Sequence, residues 1–484
     1  MRTHPVLMMM SDQNRIVRFA PSPTGHLHIG GARTALFNYL FVKKENGKFF
    51  LRIEDTDRNR STSEMSKEII EGMKWLGMIP DNTPWYQSEH IDSHTDVANK
   101  LLRENKAYRC FCTPEEMKAR RVKDGEVRFF MYDRFCLDLP PERIEERLKN
   151  KDPYVIRFKV PVGETKFKDR VHKEIKTNNS EIEDFILMRS DGSPTYQLSV
   201  VSDDISMNIT DVIRGDDHIS NTFKQILIFL ALGKKPPKYA HLPLIMGADK
   251  KKLSKRHGET SILEFRKNGY LPEALVTYLS HLSWSPNDHK KIYDMKGLIK
   301  DFKFESISKN SPIFDYDKLN FLNSRAIRAK DPVQIIEMLF KDSELKEEYN
   351  NLGSERLVAL VELVKPRMKK IEDFVSQFSI YLSKDLKYDK NEFNKLKIEN
   401  KNIKKLLKEL SLELEKIDEF NEEKIEKVFR SFAEEKGIKT GEIIHPLRFA
   451  LTNTTVSPSI FEIIIFLGKN EVINRISGFI EFLN

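Results

Sequence analysis

The 484-residue chain is long enough for about three domains, and a 39% hydrophobic composition with 31 Phe and 14 Tyr can supply several packed cores. Lys and Arg outnumber Asp and Glu by 81 to 73, a net charge of +8 consistent with a polyanionic partner. The 3 cysteines, an odd number bunched between positions 110 and 136, argue against a secreted disulfide scaffold, and no apolar run approaches the ~18 residues that span a bilayer. The apolar stretch within Met1 to Met10 is too brief for a secretory signal, so the expected setting is the cytoplasm.

In chain order, Ile16 to Ala20 predicts a short buried strand, ended by Pro21 and Pro23. Gly30 and Gly31 then open a predicted helix, Ala32 to Val42, with Leu36, Tyr39 and Leu40 at helical spacing. Lys48 to Ile53 is a second predicted strand and Ser63 to Leu76 an amphipathic helix. Strand, helix, strand, helix begins a parallel, doubly wound sheet. The stretch 109–189 changes texture and is expected to be an insertion. The alternation resumes at Pro194 to Val201 and at Asp211 to Arg214, followed by a helix from Thr222 to Leu232. Beyond Leu271 the pattern is helical, including Ala274 to Leu282 and Arg356 to Ile371. Tyr388 to Lys427, rich in Lys and Glu, reads as solvated helix faces.

Two segments carry the chemistry: Pro21-Ser22-Pro23-Thr24-Gly25-His26-Leu27-His28-Ile29-Gly30-Gly31 and, much later, Lys252-Leu253-Ser254-Lys255-Arg256. The pair resembles the two nucleotide-binding segments of class I aminoacyl-tRNA synthetases. In such an enzyme a carboxylate oxygen attacks the α-phosphate of ATP while pyrophosphate leaves, so donors and cations must face the phosphates. A glycine-containing turn at a helix N-terminus offers backbone N–H groups and a positive dipole end. Gly30 and Gly31 would let adenine and ribose lie against the backbone, and His28, with His26, would donate to phosphate oxygens. Lys252, Ser254, Lys255 and Arg256 would form a cationic loop over the triphosphate, Lys255 foremost. A helix cap and a solvated basic loop are the competing readings of the two segments.

The wider chain resembles bacterial glutamyl-tRNA synthetases. Arg18 through Gly25, Arg52-Ile53-Glu54-Asp55-Thr56-Asp57-Arg58, Pro194-Thr195-Tyr196 and Asp211-Val212-Ile213-Arg214-Gly215 stand as that family writes them. Gly31, where other class I branches carry His, is typical of the glutamyl branch. The resemblance implies that Arg18 reads the substrate γ-carboxylate with help from Tyr196, and that Arg214 lies near the α-carboxylate. Glu54 would pair with the ammonium and Ser22 would add a hydroxyl contact. A guanidinium grips a carboxylate bidentately, so such a pocket should reject glutamine. Val200 stands where some members carry a polar residue, so that contact is not carried over. Arg18 as a structural ion-pair partner of Glu54, and Tyr196 as core, are the competing readings.

Cys110, Cys112 and Cys136 supply three thiols of a tetrahedral zinc site. Relatives often place a His two residues after the third Cys; here that residue is Asp138. Tyr132 is the favoured fourth ligand, Asp138 the alternative, and three reduced cysteines without metal the competing reading. The helical second half, with Asp315 to Asn323 and His445 to Thr452 matching family stretches, argues against a glutaminyl enzyme; Asn453 replaces the family's usual Gly. Arg367, Lys369 and Lys370 fall where relatives contact the anticodon, or form a solvated basic turn.

The expectation is therefore an α/β protein. A Rossmann-type catalytic domain (11–108 and 190–260) carries an acceptor-binding insertion (109–189) with a structural Zn2+ site. A helical stem-contact domain (261–330) and an all-helical anticodon-binding region (331–484) follow. The implied reaction is ATP- and Mg2+-dependent ligation of L-glutamate to tRNA(Glu), with tRNA(Gln) left open, by a monomer away from membranes. A truncated tRNA-modifying paralogue would lack the helical half, a nucleotidylyltransferase would not need the glutamate pocket, and a non-catalytic paralogue would be expected to lose Arg18, Glu54 or Lys255.

Overall fold

The computed structural model describes residues 15–56, 62–123, 126–127, 131–284, 286, 288, 291–340, 353–383, 386–394, 402–455 and 457–483, without the side chains of 121–123, 126–127, 255 and 376–378. The chain divides into two compact units, one of Met1–Lys267 with Pro272–Tyr316 and one of Asn268–Leu271 with Asp317–Asn484.

In the first unit β1 (Ile16–Phe19) is the apolar segment Ile-Val-Arg-Phe, buried from Val17 onward and stopped before Pro21. It pairs in parallel with β2 (Lys48–Ile53), in the register Ile16 to Lys48 through Phe19 to Leu51. β2 pairs in parallel with the two-residue β3 (Trp85–Tyr86). Between β1 and β2 runs α1 (Ile29–Lys44), and between β2 and β3 runs α2 (Ser63–Trp75), capped by the Thr62 side chain on the Met65 N–H. α3 (Ile91–Arg103) then leads to β4 (Ala107–Cys110).

The next stretch divides between two sheets. β4, β7 (Val155–Phe158) and β10 (Ile186–Met188) form a separate antiparallel sheet. Between β4 and β7 in the chain come α4 (Pro114–Arg121), the antiparallel pair β5 (Val122–Lys123) and β6 (Glu126–Val127), and α5 (Pro141–Lys149). β8 (Glu164–Asp169) and β9 (Lys173–Asn178) instead join the main sheet as an antiparallel hairpin at its edge, through the parallel contact of Asp169 with Tyr239. β7 and β10 are buried nearly throughout, whereas β8 and β9 at the sheet edge keep exposed positions.

Pro194 to Val201 is not a strand of the alternation. The chain turns into α6 (Tyr196–Ser206), in which every residue from Leu198 to Asp204 is buried. Val200 and Val201 favour strands by propensity, but enclosure against α7 (Ile219–Ala231) outweighs it. β11 (Asp211–Gly215) then pairs in parallel with β1 on the side away from β2, and β12 (Lys238–Leu242) extends the sheet beyond it. The order is β3-β2-β1-β11-β12-β8-β9. The chain therefore grows outward from β1 in both directions. The ends of β1 and β11 flank the point where the order reverses, where open α/β sheets bind ligands.

The second unit is helical, with no strand among the described residues. Its longer helices include Ser354–Val364, Ile403–Glu415, Glu422–Lys436, Thr440–Thr452 and Lys469–Phe482. The Lys/Glu-rich stretch behaves as expected where described: Leu406, Leu407, Leu410 and Leu414 face inward and the charges face out. The helix expected over Arg356 to Ile371 stops at Val364, because Pro366 has no N–H to continue the ladder; a single tight turn, Lys365–Arg367, follows.

Candidate active site at the sheet reversal

His28 ends the loop after β1 and caps α1. Its Nδ1 accepts from the Gly30 and Gly31 N–H groups, at 3.1 and 3.3 Å. A Cβ at Gly30 would press on the His28 ring at 3.1 Å, so the glycine keeps the cap in place. Desolvation by the surrounding wall, then the charge of Lys252, holds the imidazole below its ordinary pKa. A neutral ring that accepts at Nδ1 carries its proton on Nε2, which leaves Nε2 as a donor. Lys252 pairs with Asp217, Nζ to Oδ2 3.1 Å. The Ser254 N–H donates to His257 Nδ1 at 3.0 Å, and Arg256 pairs with Asp249. Ile29 N–H donates to the Thr260 carbonyl at 2.9 Å, four residues beyond the second segment, and residues of both segments border one cavity. His26 is exposed and pairs with Glu68. The Lys255 side chain, and Asp57 and Arg58, lie outside the described residues.

Arg18 comes from β1 and Arg214 from the neighbouring β11, two residues beyond the position opposite Arg18, and both are buried, 3% and 6% exposed. Arg18 donates from Nε to Asp204 Oδ1 at 3.1 Å. Its partner is thus Asp204, not Glu54. Glu54 instead accepts from Arg52, Nη2 to Oε1 3.3 Å, with its own side chain 8% exposed. Burial lifts the Glu54 carboxyl above its usual value, against the pull of Arg52 and Arg18. Arg214 donates to Thr222 Oγ1 at 2.7 Å and to Tyr196 Oη at 3.4 Å, and Tyr196 Oη lies 3.2 Å from His218 Nδ1. Val200 is buried.

These groups border one cavity of about 860 Å3. Its wall contains Arg18, Ser22, His26, His28, Gly30, Gly31, Glu54, Tyr196, Arg214, Lys252 and Ser254; Arg256 is not part of it. Sequence reasoning missed Asp217, His218 and Asn221, which also line it. The run Gly215-Asp216-Asp217-His218, directly after a strand of the sheet, was the available signal. The cavity thus joins an end with a histidine donor, His28, and a cation, Lys252, to an end lined by two guanidinia, Arg18 and Arg214, and one carboxylate, Glu54.

The three thiols also converge. The Cys110, Cys112 and Cys136 sulfurs lie within 4.8 Å of one another. The Tyr132 hydroxyl is 3.2 Å from Cys110 Sγ and 3.6 Å from Cys112 Sγ. Asp138 is exposed and its carboxylate is not among the converging groups. The donor set suits a tetrahedral zinc ion, with Tyr132 at hand as the fourth ligand. Contact with the Cys136 thiol favours the Cys110 thiolate, while the same contact pushes Cys136 up. In the second unit Arg367 and Lys369 are exposed. The Lys369 and Lys370 backbone N–H groups are held by Asp373, at 2.7 and 2.9 Å, and the Lys370 ammonium stands 4.9 Å from the Tyr270 ring centre. Burial and the Arg367 charge hold Arg448 below its ordinary pKa.

Residues 15–321 match the family model of tRNA synthetases class I (E and Q), catalytic domain, and residues 331–480 match an anticodon binding domain. A glutamate–tRNA ligase of Thermodesulfovibrio yellowstonii is 45% identical over 473 residues, covering 96% of this chain and 99% of the relative. The chain belongs to the glutamate–tRNA ligase family. A second relative, glutamate–tRNA ligase 1 of Caldanaerobacter subterraneus, is 42% identical over 98% of this chain and 99% of its own. The crystal structure of a glutamate tRNA ligase from Elizabethkingia meningosepticum in complex with its amino acid superposes with a TM-score of 0.88 at 32% identity, over 98% of this chain and 100% of that one. The resemblance and the fold class expected from sequence are borne out. Among the described residues no helix is long and apolar enough to cross a membrane.

Proposed function

We propose that this protein ligates L-glutamate to tRNA(Glu) through a glutamyl-adenylate, releasing pyrophosphate and then AMP. The observation that carries it is the single cavity at the sheet reversal, where His28 and Lys252 stand at one end and Arg18, Glu54, Tyr196 and Arg214 at the other. In the first step an α-carboxylate oxygen attacks the α-phosphorus, and the bond to pyrophosphate breaks. His28 Nε2 donates to a phosphate oxygen as charge builds there. Lys252, with Lys255 and Arg256, neutralises the leaving group, while Ser254, Gly30 and Gly31 border the nucleotide and Mg2+ travels with it. Arg18 and Tyr196 receive the γ-carboxylate, Arg214 lies beside the α-carboxylate, Glu54 pairs with the ammonium and Ser22 adds a hydroxyl. In the second step the terminal ribose hydroxyl attacks the adenylate carbonyl and AMP leaves; positioning suffices, without a dedicated base.

Residues 109–189 meet the acceptor end, 261–330 the stem and 331–484 the anticodon, where Arg367, Lys369 and Lys370 supply cations. Zinc held by Cys110, Cys112, Cys136 and Tyr132 would order the insertion and take no part in the reaction. The protein works in the cytoplasm as a monomer. Charging separate glutamate and glutamine tRNAs with labelled glutamate and ATP tests the reading. Charging of the glutamate tRNA alone marks a discriminating enzyme, and charging of both marks relaxed anticodon reading. Charging of neither, by folded protein that binds ATP, overturns it.

A further inference from the structure

Behind the cavity lies a pair of residues that no step above uses. Arg52 is fully buried, and its Nη1 donates to Asp204 Oδ1 at 2.5 Å; its Nη2 reaches Glu54 at 3.3 Å. Asp204, 3% exposed, accepts Arg18 Nε on that same oxygen at 3.1 Å. One carboxylate oxygen is thus shared by two guanidinia, and the second guanidinium also holds the carboxylate of Glu54. Two positive and two negative groups balance in a dry region, where an unmatched charge would cost several kcal/mol.

We infer that Arg52 and Asp204 are positioning residues that aim the two substrate-facing groups, Arg18 and Glu54, into the cavity. The inference rests on the proposed glutamate ligation and deepens it. Asp204 takes Arg18 only through Nε. The four N–H donors on its terminal nitrogens have no partner among the described residues, and Arg18 borders the cavity, so the fork is left to take a substrate carboxylate. A free arginine would spread over many rotamers, and binding would have to order it. Fixed at Nε, the fork is ordered before substrate arrives. Asp204 also screens Arg18 from Arg52. Without its charge, two adjacent buried guanidinia repel, and Arg18 turns from its aim. Arg52 does for Glu54 what Asp204 does for Arg18, so both substrate charges are met by groups whose positions depend on one ion pair. Burial opposes ionisation of Asp204, yet the Arg18 and Arg52 charges hold its pKa below the ordinary value.

The test is a set of steady-state charging measurements, with glutamate, ATP and tRNA varied in turn, on wild type, Asp204→Asn and Asp203→Asn. Asp203 is as deeply buried and adjacent in sequence, but its carboxylate faces His94 and Gln87, at 2.8 and 2.6 Å. It controls for the loss of any buried charge. Asp204→Asn should raise KM for glutamate by about 30-fold while KM for ATP stays within about twofold and kcat within about threefold. Asp203→Asn should lower the melting temperature comparably but leave KM for glutamate within about twofold. If Asp204→Asn does not fold, Asp204→Glu keeps the charge and displaces it by one methylene, and KM for glutamate should still rise a few-fold. An unchanged glutamate KM in the folded Asp204 variant, or equal increases for glutamate and ATP, overturns the inference. So does an equal glutamate effect in Asp203→Asn. Failure of wild type itself to charge glutamate overturns the proposed function, and the inference with it.

Discussion

Two buried arginines, one in each unit, show how the same side chain serves opposite ends. Arg475 in the helical unit is 4% exposed. Its Nε donates to Glu471 at 2.7 Å, Nη1 to the Leu451 and Ile380 carbonyls at 2.6 and 3.2 Å, and Nη2 to the Ser383 and Tyr381 carbonyls at 2.6 and 3.4 Å. All five donors of the guanidinium are spent, so it ties chain segments together and has nothing left to offer. Arg18 is equally buried but spends one donor, on Asp204. Burial is common to both; unspent donors over a cavity distinguish the residue that can take a ligand.

Substitution of the unspent arginine should have the largest effect. Arg18→Gln is expected to lower kcat/KM for glutamate by about a thousandfold or more, and to lower the denaturation midpoint as well, because Asp204 and Glu54 are left to share Arg52. Loss of stability with retained activity would erase the distinction. Arg475→Met should cost stability alone. It leaves several carbonyls unsatisfied and costs on the order of 3 kcal/mol in urea unfolding, while KM for glutamate stays unchanged.

An intermediate effect sharpens the comparison through pH. His218, at the cavity wall, is pulled down to about 4 by burial and by the Arg214 charge. The unfolded imidazole takes up its proton as pH falls through about 6.5, and the folded one holds out until about 4. The unfolded state therefore binds more protons in that window. The full contribution is present above about pH 6.5 and is lost on acidification toward 4. His218→Gln should flatten the slope, by on the order of 1–2 kcal/mol between pH 7 and 4.5 in paired urea titrations. A parallel pair of curves would remove His218 from the account. The smallest effect belongs to an exposed cation: Arg367→Ala should raise KM for tRNA by about threefold and leave the glutamate and ATP values alone, since a solvated charge gives up little.

The first strand, the β2 boundaries and the two signature segments were legible because each is written in consecutive residues. The join between β8 and β12 was not, since the pairing of Asp169 with Tyr239 links positions far apart in the chain. α6 was misplaced for a related reason: its burial comes from both neighbours rather than from its own period. The candidate site was legible in its parts and obscure in its wiring. Arg18 and Glu54 stand in recognisable motifs, but that Asp204 holds Arg18 depends on a contact across 186 positions. Asp204 sits at the end of a helix whose sequence, Tyr-Gln-Leu-Ser-Val-Val-Ser-Asp-Asp, suggests a solvated terminus.

The hairpin at the sheet border has a consequence of its own. β9 ends the main sheet with Lys173, Glu174 and Lys176 exposed, and the opposite border, β3, is only two residues long. Neither border offers the long, flat, uncharged ladder on which a second chain could add a strand. The charged side chains of Lys173, Glu174 and Lys176 thereby guard that border against edge-to-edge aggregation.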